Sequence, residues 1–141
     1  MLRWPMNSMI ILKNDIRELQ GLKQTMVEYG NAYQIPDAII QDVNLALEEM
    51  VSNIIFHGYE DSGPRQIEVR VKRKGDALFL EISDDGKPFN PLKVPSPNLD
   101  IPFEDREITG MGIHLAKALM DELGYRTEEG KNILMLKKRI S

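Results

Sequence analysis

Cysteine is absent from the 141 residues, and histidine occurs only at His57 and His114. Without thiols there is no disulfide, thiolate zinc site, iron–sulfur cluster or cysteine nucleophile. Two histidines argue against a multi-histidine metalloenzyme. Basic charge is also scarce: 18 Lys and Arg stand against 22 Asp and Glu, a formal net charge of −4. That balance argues against a nonspecific nucleic-acid binder and against a basic membrane-surface helix. No apolar run approaches the roughly 18 residues of a membrane helix. The start of the chain, where Pro5, Asn7 and Ser8 follow Arg3, does not read as a signal peptide. The expectation is a cytoplasmic protein with no membrane and no direct nucleic-acid partner. At 42% hydrophobic and 28% charged, the composition is ordinary globular usage. The length suits a single domain over residues 1–141, with no separate substrate domain.

What the chain does have is periodicity. Ser8-Met-Ile-Ile-Leu-Lys13 reads as a first strand. Asn14 or Asp15 then suits the cap of a helix running to about Ala32, with Ile16, Leu19, Leu22 and Met26 as its apolar stripe. Pro36 and Asp37 open a second helix. Ile40, Val43, Leu47, Met50, Val51 and Ile54 keep the same period, and Gly58 marks its end. The stretches 66–74 and 77–84 alternate apolar and polar residues and join at Lys74-Gly75-Asp76, a hairpin signal. From Gly86 to Thr109 the pattern dissolves. Five of the eight prolines fall between Pro88 and Pro102, as in a functional loop or lid. A third main helix is expected from about Met111 to Leu123, with Ile113, Leu115, Ala116, Leu119 and Met120 facing in. Residues 125–128 and 133–139 then form a closing antiparallel pair. This order predicts an α+β two-layer sandwich, a mixed, mostly antiparallel sheet with three main helices on one face.

Three constellations carry candidate chemistry, and each also has a plain structural reading. Glu49, Asn53 and His57 stand four apart, so they share one helix face on consecutive turns. An amide oxygen such as that of Asn53 is a hard ligand suited to Mg²⁺, and a carboxylate such as Glu49 can orient or deprotonate an attacking hydroxyl. The alternative is a solvated helix face, with Asn53 and His57 helping to end the helix. Asp84-Asp-Gly-Lys-Pro-Phe89 ends a strand. A carboxylate there can accept a hydrogen bond from an exocyclic amine, and the glycine lets a flat ring approach the backbone. The same residues make an ordinary Asp-Gly turn. Gly110-Met-Gly112-Ile-His-Leu115 opens the third helix, where two glycines let backbone N–H groups and the positive dipole end approach a phosphate. Otherwise they are a flexible helix entry. The segment is no P-loop, because Gly-Lys-Ser/Thr is missing, and no dinucleotide fingerprint, because no βαβ unit surrounds it.

In this order the three segments resemble the N, G1 and G2 boxes of the GHKL, or Bergerat-fold, ATP-binding superfamily. The nearest likeness is to the anti-sigma factor serine kinases of bacterial partner-switching systems. It is carried by Leu45-Ala46-Leu47-Glu48-Glu49-Met50-Val51-Ser52-Asn53-Ile54-Ile55-Phe56-His57, by Asp84-Asp85-Gly86-Lys87-Pro88-Phe89-Asn90-Pro91 and by Gly110-Met111-Gly112-Ile113-His114-Leu115. It extends from about Met9 to Arg139. The resemblance implies a Bergerat fold with a long ATP lid, and ATP and Mg²⁺ as cofactors. Glu49 would be the general base or water-polarising group, and Asn53 the Mg²⁺ ligand. Asp84 would bind the adenine amino group, with Gly86 packing under the ring. Gly110, Met111 and Gly112 would offer backbone N–H groups to the phosphates, beneath a lid from about Pro88 to Thr109. Arg106 in that lid would neutralise a phosphate, and His57 would pack beside the nucleotide or lid unless it only caps the helix. The implied partners are a STAS-domain anti-anti-sigma protein, phosphorylated on serine, and a sigma factor or similar regulatory target. An exposed first strand and helix suit a homodimer.

Two positions depart from the family pattern. The second glycine box often reads Gly-Gly-x-Gly, where this chain has Thr109-Gly110-Met111-Gly112. Thr109 can instead offer a hydroxyl to a phosphate. Near the last strand the family often carries a Thr that assists adenine binding, and Asn132 lies at about that place. The lid's Leu99, Ile101 and Phe103 suit docking on a partner or on the chain's own core. Two functions compete. One is an ATP-dependent serine-protein kinase that also sequesters its target. The other is a nucleotide-gated protein-binding module with little or no kinase activity.

Overall fold

Two tight turns decide the sheet's direction. In the computed structural model, which describes residues 7–61, 63–93 and 108–140, Gly75 takes a φ of +60°, and Glu129 and Gly130 take +52° and +79°. Both turns fold consecutive strands back as hairpins, which forces antiparallel pairing. The elements run β1 (Asn7–Lys13), α1 (Glu18–Ala32), α2 (Asp37–His57), β2 (Gln66–Lys74), β3 (Ala77–Asp84), a 3₁₀ turn (Pro91–Lys93), α3 (Ile108–Leu119), β4 (Glu122–Glu128) and β5 (Lys131–Arg139). The strand order is β1-β2-β3-β5-β4, and all four neighbouring pairs are antiparallel. The expected mixed sheet is therefore corrected: the chain re-enters the sheet as a second hairpin, and β5 closes on β3 from the opposite direction.

Strand alternation puts one apolar row after another on a single face. Ile10, Val69, Ile82, Leu134 and Tyr125 stand side by side across the five strands. The helices cover this face and supply Leu22, Met26 and Tyr29 from α1, Val43, Leu47, Met50 and Val51 from α2, and Ile113 and Ala116 from α3. The other face keeps polar residues and leaves Met9 and Ile11 of the edge strand half exposed. Among the described residues no helix is long and apolar enough to cross a membrane.

Element ends move where a distant partner outcompetes a local cap. Asn14 does not cap α1. Its amide donates to the Gly63 carbonyl and accepts the Arg65 backbone N–H. Asp15 accepts the Arg17 N–H in a turn of its own, so the helix starts at Glu18 and Ile16 stays outside it, exposed. The third helix spans 108–119 rather than 111–123. Asp121 donates its N–H to Lys137 and joins the sheet, which carries Leu123 into β4. Lys138 closes the end of α3, with Nζ 2.6 Å from the Leu119 carbonyl and 3.2 Å from Asp42 of α2. A cation there complements the helix dipole. The stretch expected to lack structure thus contains the 3₁₀ turn and the first residues of α3. Its remainder, 94–107, lies outside the described residues together with Leu99, Ile101, Phe103 and Arg106.

The packing distinguishes two leucines of α2. Leu47 is fully buried and Leu45 is 39% exposed. Leu47→Ala should lower the unfolding free energy by about 2–5 kcal/mol, and Leu45→Ala by under about 1 kcal/mol, measured as urea midpoints. Equal losses would contradict this orientation of the helix.

Candidate functional site

The helical period sets Glu49 and Asn53 one turn apart on α2, both half-buried, with His57 exposed in the last turn. Glu49 faces α3. A Cβ on Gly112 would overlap the Glu49 Oε2 atom and stand 3.2 Å from its Cδ. The glycine at 112 leaves room for that carboxylate, and a side chain there would push it aside. Burial, and then the charge of Glu48, hold the Glu49 carboxyl above the ordinary range, so it is a stronger base than a free carboxylate. Next to it, the Asn53 Nδ2 is buried with no hydrogen-bond partner among the described residues. An unpaired buried amide costs about 1–3 kcal/mol, which a bound group can recover. Among the described residues no three His, Cys, Asp or Glu side chains cluster to hold a metal ion. A lone amide oxygen fits Mg²⁺, which is ordinarily held by a few protein oxygens together with phosphates and water.

The second part of the site is the end of β3. Asp84 is 7% exposed, and its Oδ1 accepts the Gly86 N–H at 2.8 Å and an Asn132 amide hydrogen at 3.1 Å. Burial raises its carboxyl above the usual range, against the pull of those two donors. The resemblance places Gly86 under a ring. The contact found here is with the protein itself, because a Cβ on Gly86 would run into the Gly58 carbonyl at the end of α2. Lys87 fastens the same place, its N–H 2.9 Å from the Gly58 oxygen. The acidic strand end is thereby riveted to the helix that carries Glu49 and Asn53.

Thr109, Gly110 and Met111 fall in the first turn of α3. The unpaired backbone N–H groups of a helix belong to its first residues, so they lie around 108–110. Gly112 is already inside the i→i−4 ladder, opposite Ile108. Besides the phosphate-facing role the resemblance implies for it, Gly112 gives clearance to the Glu49 carboxylate. Asn132 lies opposite Asp84 in the β3–β5 register, as its proposed neighbourhood requires. Arg106 lies outside the described residues.

Two tyrosines escaped the sequence reasoning. Tyr59 follows the glycine that ends α2; its hydroxyl is buried without a partner among the described residues, and Arg65 stands 5.7 Å from its ring centroid. Burial, then Asp84 and Asp85, push its phenol upward. Tyr125 donates its hydroxyl hydrogen to the Asn132 carbonyl. The only sequence signal for either was adjacency to an element end or a paired strand.

The two glycine contacts should respond differently to a methyl group. Gly86→Ala meets a backbone carbonyl and should cost about 1–3 kcal/mol. Gly112→Ala meets the movable end of a side chain, and the helix-propensity gain of about 1 kcal/mol offsets the clash. Urea titrations check the contrast, and a larger loss at Gly112 would reverse the assignment.

Comparison with known proteins identifies the family and the fold. A family model described as the histidine kinase-like ATPase domain matches residues 12–138. The chain is 31% identical over 121 residues to the serine-protein kinase RsbW of Bacillus thuringiensis subsp. konkukian, covering 82% of this chain and 74% of that protein. It is 33% identical over 101 residues to an anti-sigma F factor of Clostridium botulinum, covering 70% of this chain and 71% of that protein. Among solved structures, the RsbU and RsbW domains of Rv1364c from Mycobacterium tuberculosis superpose with a TM-score of 0.69 at 20% identity, covering 97% of this chain. The chain spans about a third (32%) of that larger solved chain. With a family match over residues 12–138 and relatives covered over most of their length, the chain belongs to the histidine kinase-like ATPase domain family, in the branch of RsbW-type serine-protein kinases and anti-sigma factors.

Proposed function

We propose that residues 1–141 act as one ATP-dependent kinase domain that binds Mg-ATP and phosphorylates a serine of a STAS-type anti-anti-sigma partner. The same domain sequesters a sigma factor or a similar regulatory target. It works in the cytoplasm as a homodimer. The observation that carries this reading is the seating of the Glu49 carboxylate against Gly112, which joins a half-buried base to the start of α3. The printed names of the relatives, a serine-protein kinase and an anti-sigma F factor, support the choice of substrate class and target.

Each residue then has a task. Asp84 accepts the adenine amino group on the oxygen that Gly86 and Asn132 leave unused. The N–H groups and positive dipole end at the start of α3 hold the phosphates. Asn53 supplies an amide oxygen to Mg²⁺, which when bound neutralises charge on the phosphates. Glu49 takes the proton from the serine hydroxyl as that oxygen bonds to the γ-phosphorus. The bond from the γ-phosphorus to the bridging oxygen breaks, and ADP leaves with the electron pair.

Transfer of labelled phosphate from γ-labelled ATP to a purified STAS protein tests this directly. Glu49→Ala should lower the rate by about 10²–10⁴-fold while ATP affinity changes by less than about threefold. Tight ATP binding with no transfer by the wild type would favour the nucleotide-gated binding module instead. The pH profile gives a second check. A base works only when ionised, so transfer falls as pH drops through the Glu49 pKa. Burial and Glu48 hold that pKa high, so the acid limb should lie above the ordinary carboxylate range, and Glu48→Gln should move it to lower pH. An acid limb unmoved by Glu48→Gln would assign the ionisation to another group.

A further inference from the structure

Every hydrogen-bonding group of the Asn132 side chain is engaged within the protein. Its Nδ2 lies 3.1 Å from Asp84 Oδ1, 3.1 Å from the Gly86 carbonyl and 3.2 Å from the Lys87 carbonyl. Three acceptors surround two hydrogens. Its Oδ1 accepts the Tyr125 hydroxyl hydrogen, which reaches it diagonally, because Tyr125 of β4 stands opposite Leu134 and not opposite Asn132. Turning the amide over would set a carbonyl oxygen against a carboxylate and two carbonyls. The surrounding acceptors and the tyrosine therefore fix one orientation. Resting on the ATP-binding reading above, we infer that Tyr125 and Asn132 form a brace that fixes the Asp84 carboxylate and so sets the preference for adenine over guanine, with neither residue touching the base.

The chemistry follows from what the brace leaves over. Among the described residues, the hydrogen bonds to Asp84 fall on Oδ1, so Oδ2 is the oxygen available to a ligand. An ionised carboxylate only accepts hydrogen bonds. Adenine presents an exocyclic amine, a donor, where guanine presents the O6 acceptor. A site built on one unpaired acceptor rejects the wrong group strongly. Burial opposes the charge on Asp84, and the Gly86 N–H and the Asn132 amide sustain it. A carboxyl that lost that support and took up a proton would offer a hydrogen to O6, and the discrimination would shrink. Asn132 and Tyr125 are thus positioning residues.

Calorimetric titration of ATP and of GTP into wild type, Tyr125→Phe and Asn132→Ala tests the brace. Tyr125→Phe keeps the ring and removes one hydroxyl. It should weaken ATP about fivefold, and Asn132→Ala at least about tenfold, with GTP affinity unchanged or improved, so that the ATP-to-GTP ratio falls in both. In phosphotransfer assays Tyr125→Phe should raise the KM for ATP and leave kcat at saturation within about twofold. Equal loss of ATP and GTP affinity, or no change in ATP affinity, in Tyr125→Phe would overturn the inference, and that variant serves even if Asn132→Ala fails to fold. A wild type that binds neither nucleotide would overturn the kinase reading and the brace together. A wild type that prefers ATP, with variants that keep the full preference, would overturn the brace alone.

Discussion

Gly112 leaves room for the Glu49 carboxylate, which a methyl group would push aside, and no methyl group fits where Gly86 meets the Gly58 carbonyl. These two clearances place α2 between the start of α3 and the end of β3. Glu49 makes the first contact, with Asn53 one turn further along the helix, and Gly58 makes the second. A shift of an ångström at either would part the groups that are asked to work together, and catalytic geometry tolerates little of that. The sheet provides the stiffness behind this arrangement, with apolar rows buried on the central strands and half-buried at both edges.

The site is costly to hold, and the cost is distributed unevenly. Asp84 is a buried carboxylate, partly offset by two hydrogen-bond donors on one oxygen. Glu49 is desolvated beside the like charge of Glu48, the circumstance that makes a carboxylate a better base. Asn53 and Tyr59 each keep a buried polar atom without a partner among the described residues. Unpaired groups of this kind persist where a ligand completes them. Two further atoms of this kind are Arg65 Nε and Asn44 Oδ1, the latter lining the 550 Å³ groove between α1 and α2 with Leu22, Lys23, Val27 and Ile40.

The sequence made the period-driven parts legible and left the long-range ones hidden. α2 runs from Asp37 to His57 and ends at Gly58, and β2 and β3 match the alternation residue for residue. The spacing of Glu49 and Asn53 and the position of Asp84 were likewise readable, because one helix or one strand end fixes them. The start of α1 was not, because Asn14 bonds to Arg65, 51 residues away, instead of capping its own helix. The end of α3 was not, because Leu123 continues a helical spacing and yet pairs with Leu136 in the sheet. Gly112 reads as a flexible entry until Glu49, far earlier in the chain, is seen against it. The link from Tyr125 through Asn132 to Asp84 needs two strand registers at once, and no local pattern carries that.

Hydrogen exchange with and without Mg-ATP tests the central claim, that one nucleotide site is built by α2, the end of β3 and the start of α3. Nucleotide should slow exchange together in segments 53–58, 84–87 and 108–112, with α1 unchanged. Protection confined to the α1–α2 groove, with segments 84–87 and 108–112 exchanging as before, would contradict it.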